Sequence, residues 1–181
     1  MPQMNNQKKK LIIFLDCGDT LIDEGTEIRN NDGIVIKAEL IPGAGDTVKK
    51  LAEEGFTLCM VADGNAQSFK NMMLDHKLYD YFTSMIYSEN VKALKPSARM
   101  FKAAIGALDL MEKDIPRIIM VGNNLKRDIA GANRLGITSV HLTWTTRYDK
   151  QPQEKDEVPD YTISKPTELI DLATKLNKEL S

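Results

Sequence analysis

Apolar and polar residues alternate along the chain in blocks that are typical of an α/β domain. Short continuous apolar runs predict strands buried on both faces of a sheet, and in chain order they read LIIFL, FTLCMVA, SMIYS, RIIMVG, ITSVHLT and YTI. The segments between them carry apolar residues at helical spacing, namely DTVKKLAEEGF, the stretch after Asn65, PSARMFKAAIGAL, LKRDIAGANRLG and a closing segment from Pro166. This order predicts a doubly wound, mostly parallel α/β sheet with helices on both faces.

Single residues mark the predicted ends of two helices. Asn65 is expected to cap the second helix, because an asparagine side chain can accept a hydrogen bond from a free backbone N–H of the first turn. The core face of that helix is expected to consist of Phe69, Met72 and Met73. Pro96 is expected to lie in the first turn of the next helix, where its missing N–H costs nothing.

One segment interrupts the alternation of strands and helices. TEIRNNDGIVIKAELI carries two extended runs around an Asn-Asp-Gly turn at residues 31–33, which predicts a β-hairpin flap over residues 21–41. The flap directly follows the loop that begins at Asp16. It therefore either overhangs that loop or covers an edge of the sheet, and both interpretations stay open.

Length and charge narrow the class of protein. The 181 residues fit one domain, with residues 1–9 as a polar N-terminal tail. The formal net charge is −2 and the only dense basic run is QKKK, so we expect no nucleic-acid partner. No apolar run is long enough for a signal peptide or a membrane span, and we expect a cytoplasmic protein.

The cysteines and histidines lack the spacing of a metal site or of a catalytic pair. Cys17 and Cys59 each lie in an apolar, strand-like setting, which indicates reduced thiols in the core. His76 and His141 are expected to have structural roles.

Polar residues follow four of the predicted elements at what should be one edge of the sheet. In an open parallel sheet, ligands bind beyond the carboxyl ends of the strands. The loops expected there bring together Asp16, Asp19, Asp63, Lys95, Asn123 and Asp128. Several acids with one lysine suit a divalent cation together with a phosphate, because hard oxygens hold Mg²⁺ and the lysine neutralises the anion.

At these loops the sequence resembles the haloacid dehalogenase-like (HAD) hydrolases. The stretches that carry the resemblance are FLDCGDTL, LCMVADG, ALKPSARMF, VGNNLKRDIAGANRLG and PDYTISKPTEL, and it extends from about Lys10 to Leu176. The resemblance implies a HAD-like Rossmannoid core and an Mg²⁺-dependent hydrolase, most often a phosphatase. In such an enzyme Asp16 would attack phosphorus and form an aspartyl-phosphate.

The resemblance also implies a role for each matching residue. Mg²⁺ would be held by Asp16, the carbonyl of Gly18, Asn123 and Asp128. Lys95 would steady the nucleophile and the phosphoryl oxygens. The phosphoryl group would lie against Thr20, Asp63, Gly64 and Lys95, and Thr20 would also support the loop by hydrogen bonding.

Three positions depart from the pattern of the family. Gly18 stands where its phosphatases usually carry the general acid, a group typically worth about 10²–10⁴ in rate, so substrates with good leaving groups would be favoured. Asp19 is the first candidate to replace that acid, and Asp63 is the second. Ala62 stands where a serine or threonine hydroxyl usually binds the phosphoryl group, and Asn123 replaces an aspartate.

The spacing of the motifs leaves no room for a large cap domain. The chain therefore looks like a capless-type member with altered motifs, and its open site would take a bulky or macromolecular substrate, or use a neighbouring subunit of a homo-oligomer as a lid. The expected partner is a phosphorylated small molecule or macromolecule. In the loop TWTTRYDK, Trp144 is expected to anchor the loop or form a dimer contact. Arg147 is interpreted as an exposed surface residue, with contact to a second anionic group as the alternative.

Two hypotheses of function follow. The first is a hydrolase of phosphorylated compounds that uses Mg²⁺ and Asp16, and it is favoured by the retained Asp16, Thr20, Lys95 and Asp128. The second is a catalytically weak or inactive phosphate-sensing or protein-binding module on the same fold, which the three departures favour. The first is preferred, and a receiver-like phosphoacceptor domain is a more distant third.

Overall fold

The computed structural model describes residues 8–180. Six strands form one sheet in the order β5-β4-β1-β6-β7-β8, and two more form a separate hairpin. The strands are β1 Ile12–Leu15, β2 Ile28–Arg29, β3 Val35–Lys37, β4 Thr57–Ala62, β5 Ser84–Tyr87, β6 Ile118–Gly122, β7 Thr138–Leu142 and β8 Tyr161–Ile163. All neighbours in the large sheet are parallel, which confirms the predicted parallel sheet.

Helices cover both faces of this sheet. They are α1 Ala44–Glu53, α2 Ala66–Asp75, α3 Ser88–Val91, α4 Ala98–Ala107, α5 Ala130–Arg134 and α6 Glu168–Glu179. The apolar residues of α1, α2 and α6 pack on one face, and those of α4 and α5 pack on the other. The predicted doubly wound architecture is therefore confirmed.

The central strand β1 shows why its apolar run is continuous. Ile13 and Leu15 point into the core beneath α1 and α6, whereas Ile12 and Phe14 point into the core beneath α4. All four side chains are at most 4% exposed, and each contributes about 1.5–3 kcal/mol when buried. Asp16 follows directly after β1, at the carboxyl end of the strand.

The predicted helix ends are partly correct. Asn65 caps α2 by accepting a hydrogen bond from the Ser68 N–H at 3.2 Å, as predicted, and the core face of that helix is buried. Pro96 lies before α4 rather than in its first turn. Ser97 takes the capping position: its backbone is not helical, with φ −54° and ψ 130°, and its hydroxyl accepts from the Arg99 N–H at 3.3 Å.

The segment LKRDIAGANRLG was predicted to form one helix, but it is not a uniform one. Its first turn, Leu125–Ile129, is a π-helix that continues into α5. The side-chain oxygen of Asn124 caps this turn by accepting hydrogen bonds from the N–H groups of Lys126 and Arg127, both at 3.1 Å. The widened turn is the element that carries Asp128.

The predicted hairpin is present and packs on α2. Its base is closed by the Ile41 N–H, which donates to the Leu21 carbonyl at 2.8 Å. Farther out, the Val35 N–H donates to Ser68 Oγ and the Asn71 side chain donates to the Val35 carbonyl, both at 2.9 Å. The hairpin residues Glu27, Arg29 and Val35 line the same cleft as Asp16, which favours the interpretation as an overhanging flap.

The flap is the only insertion of note between β1 and α1 in the described residues, and no large cap domain is present there or between β4 and β6. The predicted polar tail lies mostly outside the described residues. Lys9, however, already belongs to the domain, since its N–H donates to the Gly55 carbonyl at 3.2 Å. No helix within residues 8–180 is both long enough and apolar enough to cross a membrane.

Candidate active site

The strand order brings the predicted site residues together. Asp16, Asp63 and Asn123 follow β1, β4 and β6, which are the three central neighbours of the sheet. They line a cleft of about 200 Å³ beneath the flap, at the point where the strand order reverses and ligands bind in such sheets. A larger groove of about 1100 Å³ lies elsewhere, beside α5 and β8, and it includes none of these residues.

Lys95 is the centre of the site. Its ammonium group donates to Asp16 Oδ1 at 2.9 Å, to Asp128 Oδ1 at 2.6 Å and to the Val61 carbonyl at 2.7 Å. Burial alone would lower the pKa of Lys95, but the carboxylates of Asp128 and Asp16 outweigh it and raise that pKa. The lysine therefore stays charged and fixes the first oxygen of Asp16, as predicted.

The second oxygen of Asp16 is held by Thr20. The Thr20 hydroxyl donates to Asp16 Oδ2 at 3.1 Å, and the threonine is 1% exposed. It therefore supports the loop, as predicted, but it does not line the cleft. This arrangement therefore does not favour the predicted contact of Thr20 with a phosphoryl group.

Oxygen atoms of three residues converge beside Asp16. One side-chain amide atom of Asn123 lies 2.8 Å from Asp16 Oδ2 and 3.1 Å from the Gly18 carbonyl oxygen. With the amide nitrogen at that position, Asn123 donates to both oxygens. With the amide oxygen there, three oxygens form a triangle, and its two edges at Asn123 are close to the roughly 2.9 Å between adjacent ligands of an octahedral Mg²⁺ ion.

The donor set therefore fits a hard cation. Residues 8–180 contain no cluster of three or more His, Cys, Asp and Glu side chains at metal-binding distances. The triangle combines one carboxylate, one amide and one backbone carbonyl instead, and oxygens of these kinds are the ligands of Mg²⁺ in proteins. The predicted contributions of Asp16, Gly18 and Asn123 agree with this geometry.

Asp128 is directed at Lys95 and not at the triangle. Its Oδ1 accepts from Lys95, and its Oδ2 accepts from the Asn124 N–H at 3.0 Å. The carboxylate lies only 2.3 Å from where a Cβ at residue 122 would be, so β6 has to end in glycine. Burial raises the pKa of Asp128. These contacts do not support the predicted role of Asp128 as a metal ligand, because its oxygens contact Lys95 and the Asn124 N–H rather than the oxygen triangle.

The loop after β4 contributes differently from the prediction. Asp63 Oδ1 accepts from the Lys95 N–H at 3.0 Å, and Oδ2 is buried without a hydrogen bond, 3.6 Å from the nearest guanidinium nitrogen of Arg127. The Gly64 N–H donates to Ser88 Oγ at 2.8 Å. The prediction that Gly64 binds phosphate is thus not supported, since its backbone donor is already used.

Asp19 does not turn into the cleft, and the hypothesis that it replaces the general acid is contradicted. It is fully buried, and its carboxylate accepts from Arg147 Nε at 2.9 Å and Nη2 at 2.8 Å. Arg147 also contacts Asp23. Arg147 is exposed, as predicted, but its guanidinium group also clamps the segment that follows the Asp16 loop.

Comparison with known proteins identifies the family. Residues 6–142 match the family model of the haloacid dehalogenase-like hydrolases. The chain belongs to this family. Similar curated proteins include a glyceraldehyde 3-phosphate phosphatase of Methanopyrus kandleri, which is 30% identical over 138 residues, or 76% of this chain and 58% of the relative. Another is the pyrophosphatase PpaX of Bacillus mycoides, which is 24% identical over 73% of this chain and 59% of the relative.

Solved structures agree with the family assignment. The HAD phosphatase of Thermococcus onnurineus is 26% identical, with a TM-score of 0.64 over 75% of this chain and 58% of that chain. The HAD hydrolase YfnB of Bacillus subtilis, whose structure contains magnesium, superposes with a TM-score of 0.73 at 18% identity over 92% of this chain and 99% of that chain. The present chain spans less than two thirds of the length of the curated relatives described above.

This member of the haloacid dehalogenase-like hydrolases also has a cleft residue that sequence reasoning missed. Glu24 begins a short 3₁₀ turn, and its Oε1 lies 2.2 Å from where a Cβ of residue 18 would be. Its Oε2 accepts from the Tyr148 hydroxyl at 2.9 Å. Burial raises the pKa of Glu24, the hydrogen bond from Tyr148 opposes this, and the charges of Asp19 and Asp16 add to the increase. The available signal was an acid soon after the nucleophile loop, in LIDEGT.

The remaining residues that the sequence singled out have structural roles. Cys17 and Cys59 are buried and free, as predicted for core thiols. His76 Nε2 lies 2.6 Å from the Ala38 carbonyl oxygen, and His141 Nε2 lies 3.2 Å from that of Asn123. Trp144 packs against the main core, which favours its interpretation as an anchor for the loop.

Proposed function

We propose that this protein is an Mg²⁺-dependent phosphatase that hydrolyses phosphoric monoesters or acyl phosphates through Asp16. The observation that carries the proposal is the environment of the Asp16 carboxylate at the carboxyl end of β1. Lys95 donates to one of its oxygens, Thr20 donates to the other, and the latter oxygen also belongs to the triangle with Gly18 and Asn123. A carboxylate oriented by so many groups is prepared to act as a nucleophile.

The chemistry divides into two steps. A carboxylate oxygen of Asp16 bonds to phosphorus while the bond from phosphorus to the leaving-group oxygen breaks, and the electron pair stays on that oxygen. Water then attacks the aspartyl-phosphate, which releases inorganic phosphate and restores the carboxylate. Lys95 offsets the negative charge that gathers at Asp16. Mg²⁺, when bound at the oxygen triangle, would reduce the repulsion between the carboxylate and the phosphate anion.

The size of the cleft supports a small phosphorylated substrate. Its volume is about 200 Å³, and the flap residues Glu27, Arg29 and Val35 form part of its lining. The names of the curated relatives point the same way, because glyceraldehyde 3-phosphate and pyrophosphate are small. We expect the reaction to take place in the cytoplasm, where Cys17 and Cys59 stay reduced.

Phosphate release with and without Mg²⁺ tests this proposal. The panel contains acetyl phosphate, p-nitrophenyl phosphate, glyceraldehyde 3-phosphate, phosphoglycolate, pyrophosphate and a phosphopeptide. The wild type is compared with Asp16→Asn and with Asp171→Asn, a matched control at an exposed position of α6. We expect Mg²⁺-dependent release from the wild type and the control, and background release from Asp16→Asn.

Two results would overturn the proposal. Release that persists in Asp16→Asn would exclude this residue as the nucleophile. Background release from all three proteins across the panel would exclude the phosphatase and favour the binding module. In that case the Asn123 amide nitrogen would point at Asp16 Oδ2 and the Gly18 carbonyl oxygen and donate to both.

A further inference from the structure

A phosphatase without an acid at residue 18 needs another proton source when the leaving group is an alkoxide. Five carboxyl groups line the cleft, those of Asp16, Glu24, Glu27, Asp63 and Asp128. Asp16 is the proposed nucleophile, so it cannot also supply the proton. Asp128 is engaged at both oxygens by Lys95 and Asn124. Asp63 Oδ1 accepts from the Lys95 N–H, and its Oδ2, which has no hydrogen bond, lies 3.6 Å from the cationic Arg127 side chain. Two glutamates remain.

The contacts distinguish these two glutamates. Glu27 forms an ion pair with Arg29 at 2.5 Å within the flap. Glu24 instead places its carboxylate beside Gly18, two residues from the nucleophile: its Oε1, Cδ and Cγ lie 2.2, 2.9 and 3.0 Å from where a Cβ of residue 18 would be. A side chain at residue 18 and the present position of Glu24 therefore exclude each other.

The surrounding contacts fix Glu24 at this position. Its backbone N–H donates to Asp19 Oδ1 at 3.1 Å, and Asp19 is in turn held by Arg147. The Tyr148 hydroxyl donates to Oε2, so Oε1 is the oxygen that faces Gly18. Three contacts that sequence reasoning missed thus hold a carboxyl group beside Gly18, in the cleft that Asp16 also lines.

We propose that Glu24 is the general acid and base of this active site, an inference that rests on the proposed function. In the first step the Glu24 carboxyl gives its proton to the leaving-group oxygen as the bond to phosphorus breaks. In the second step it takes a proton from the attacking water as the aspartyl-phosphate bond breaks, and this restores the carboxyl group. Asp19, Arg147 and Tyr148 are positioning residues for it.

Kinetics on two substrates with different leaving groups test the inference. The substrates are p-nitrophenyl phosphate, whose leaving group needs no proton, and glycerol phosphate, whose leaving group does. The variants are Glu24→Gln, which has the same shape and keeps an acceptor for Tyr148, and Glu39→Gln, a control at an exposed flap carboxylate. Thermal denaturation of each variant shows whether it is folded.

We expect Glu24→Gln to lower kcat/KM about 10²–10³-fold for glycerol phosphate and to leave kcat/KM for p-nitrophenyl phosphate nearly unchanged. Since the second step then lacks its base, p-nitrophenyl phosphate should give a burst of nitrophenolate equal to the enzyme concentration, followed by slow turnover. Glu39→Gln should behave as the wild type. The double variant Gly18→Asp, Glu24→Ala places an acid at residue 18 instead of residue 24. On glycerol phosphate, its kcat/KM should be at least about tenfold higher than that of Glu24→Ala.

Equal loss on both substrates without a burst, or no loss on either, would overturn the role of Glu24 while the dependence on Asp16 keeps the proposed function intact. A wild type without activity on the panel would overturn both, because there would be no leaving group to protonate. The outcomes of the two experiments are therefore distinguishable.

Discussion

The ion pair between Asp19 and Arg147 should contribute far more to stability than its partly exposed arginine suggests. We expect Arg147→Met, which keeps most of the aliphatic stem, to leave the Asp19 carboxylate charged and buried, with the Glu24 N–H as its remaining donor. The partner substitution is Asp19→Asn. Asparagine suits this position because the backbone of Asp19 is left-handed, at φ 52°, and asparagine tolerates that conformation better than most residues.

The magnitude follows from the burial of the two partners. Asp19 is 0% exposed, and the Arg147 side chain is 42% exposed. Breaking a fully buried pair costs about 3–5 kcal/mol, whereas an exposed pair contributes about 0–1 kcal/mol. With one partner buried and the other open to water, we expect a coupling free energy of about 2–3 kcal/mol. For a domain of this size that corresponds to a decrease in Tm of roughly 4–12 °C for Arg147→Met.

A double-mutant cycle measures this coupling. Urea unfolding of the wild type, both single variants and the double variant gives the four free energies of unfolding. The ion pair between Arg134 and Asp156 is the matched control, since its nitrogen–oxygen distance is 2.6 Å but its side chains are 55% and 32% exposed. A coupling between Asp19 and Arg147 below about 0.5 kcal/mol, or one equal to that of the control pair, would refute the reasoning.

Three further changes have expected outcomes. Asn123→Asp should tighten Mg²⁺ binding about tenfold or more, as measured by calorimetry, because it adds a charge to the oxygen triangle; unchanged affinity would argue against contact with the cation. Lys95→Met should lower the free energy of unfolding by about 3–5 kcal/mol, since the Asp16 and Asp128 carboxylates lose their shared partner, and adding Asp128→Asn should recover part of this in urea unfolding. Burial raises the pKa of Cys59 to about 12, so a thiol reagent at pH 8 should label it no faster than the protein unfolds; faster labelling would contradict the packing around it.

The part of the site that was predicted from the sequence depends on strand ends. Continuous apolar runs located β1, β4 and β6, and parallel pairing places their carboxyl ends at one edge of the sheet. The convergence of Asp16, Asp63 and Asn123 follows from that geometry alone. Lys95 was expected from its loop at the same edge and from the motif ALKPSARMF, and it donates to Asp16 at 2.9 Å.

The part that was not predicted depends on contacts between side chains far apart in the sequence. Glu24 and Tyr148 are 124 residues apart, and Asp19 and Arg147 are 128 residues apart. Local patterns contain no information on which of several nearby acids meets which cation in another loop. Gly64 failed for a similar reason, since whether a backbone N–H is free depends on Ser88, 24 residues away. The acids in LIDEGT and the Arg-Tyr pair in TWTTRYDK are visible in the sequence. Their importance follows only from the contacts between the two segments.

The separation of Asp19 and Arg147 also has a consequence for the order of events during synthesis. A ribosome adds about 5–20 residues per second, so the 128 residues between them take roughly 6–25 seconds to make. During that interval the nucleophile loop exists without the arginine that fixes its far end. Most of the sheet can form before Arg147 emerges, whereas the acid beside Gly18 cannot be positioned until then. We therefore expect a nascent chain to acquire its fold first and its reactivity only after β7 has been completed.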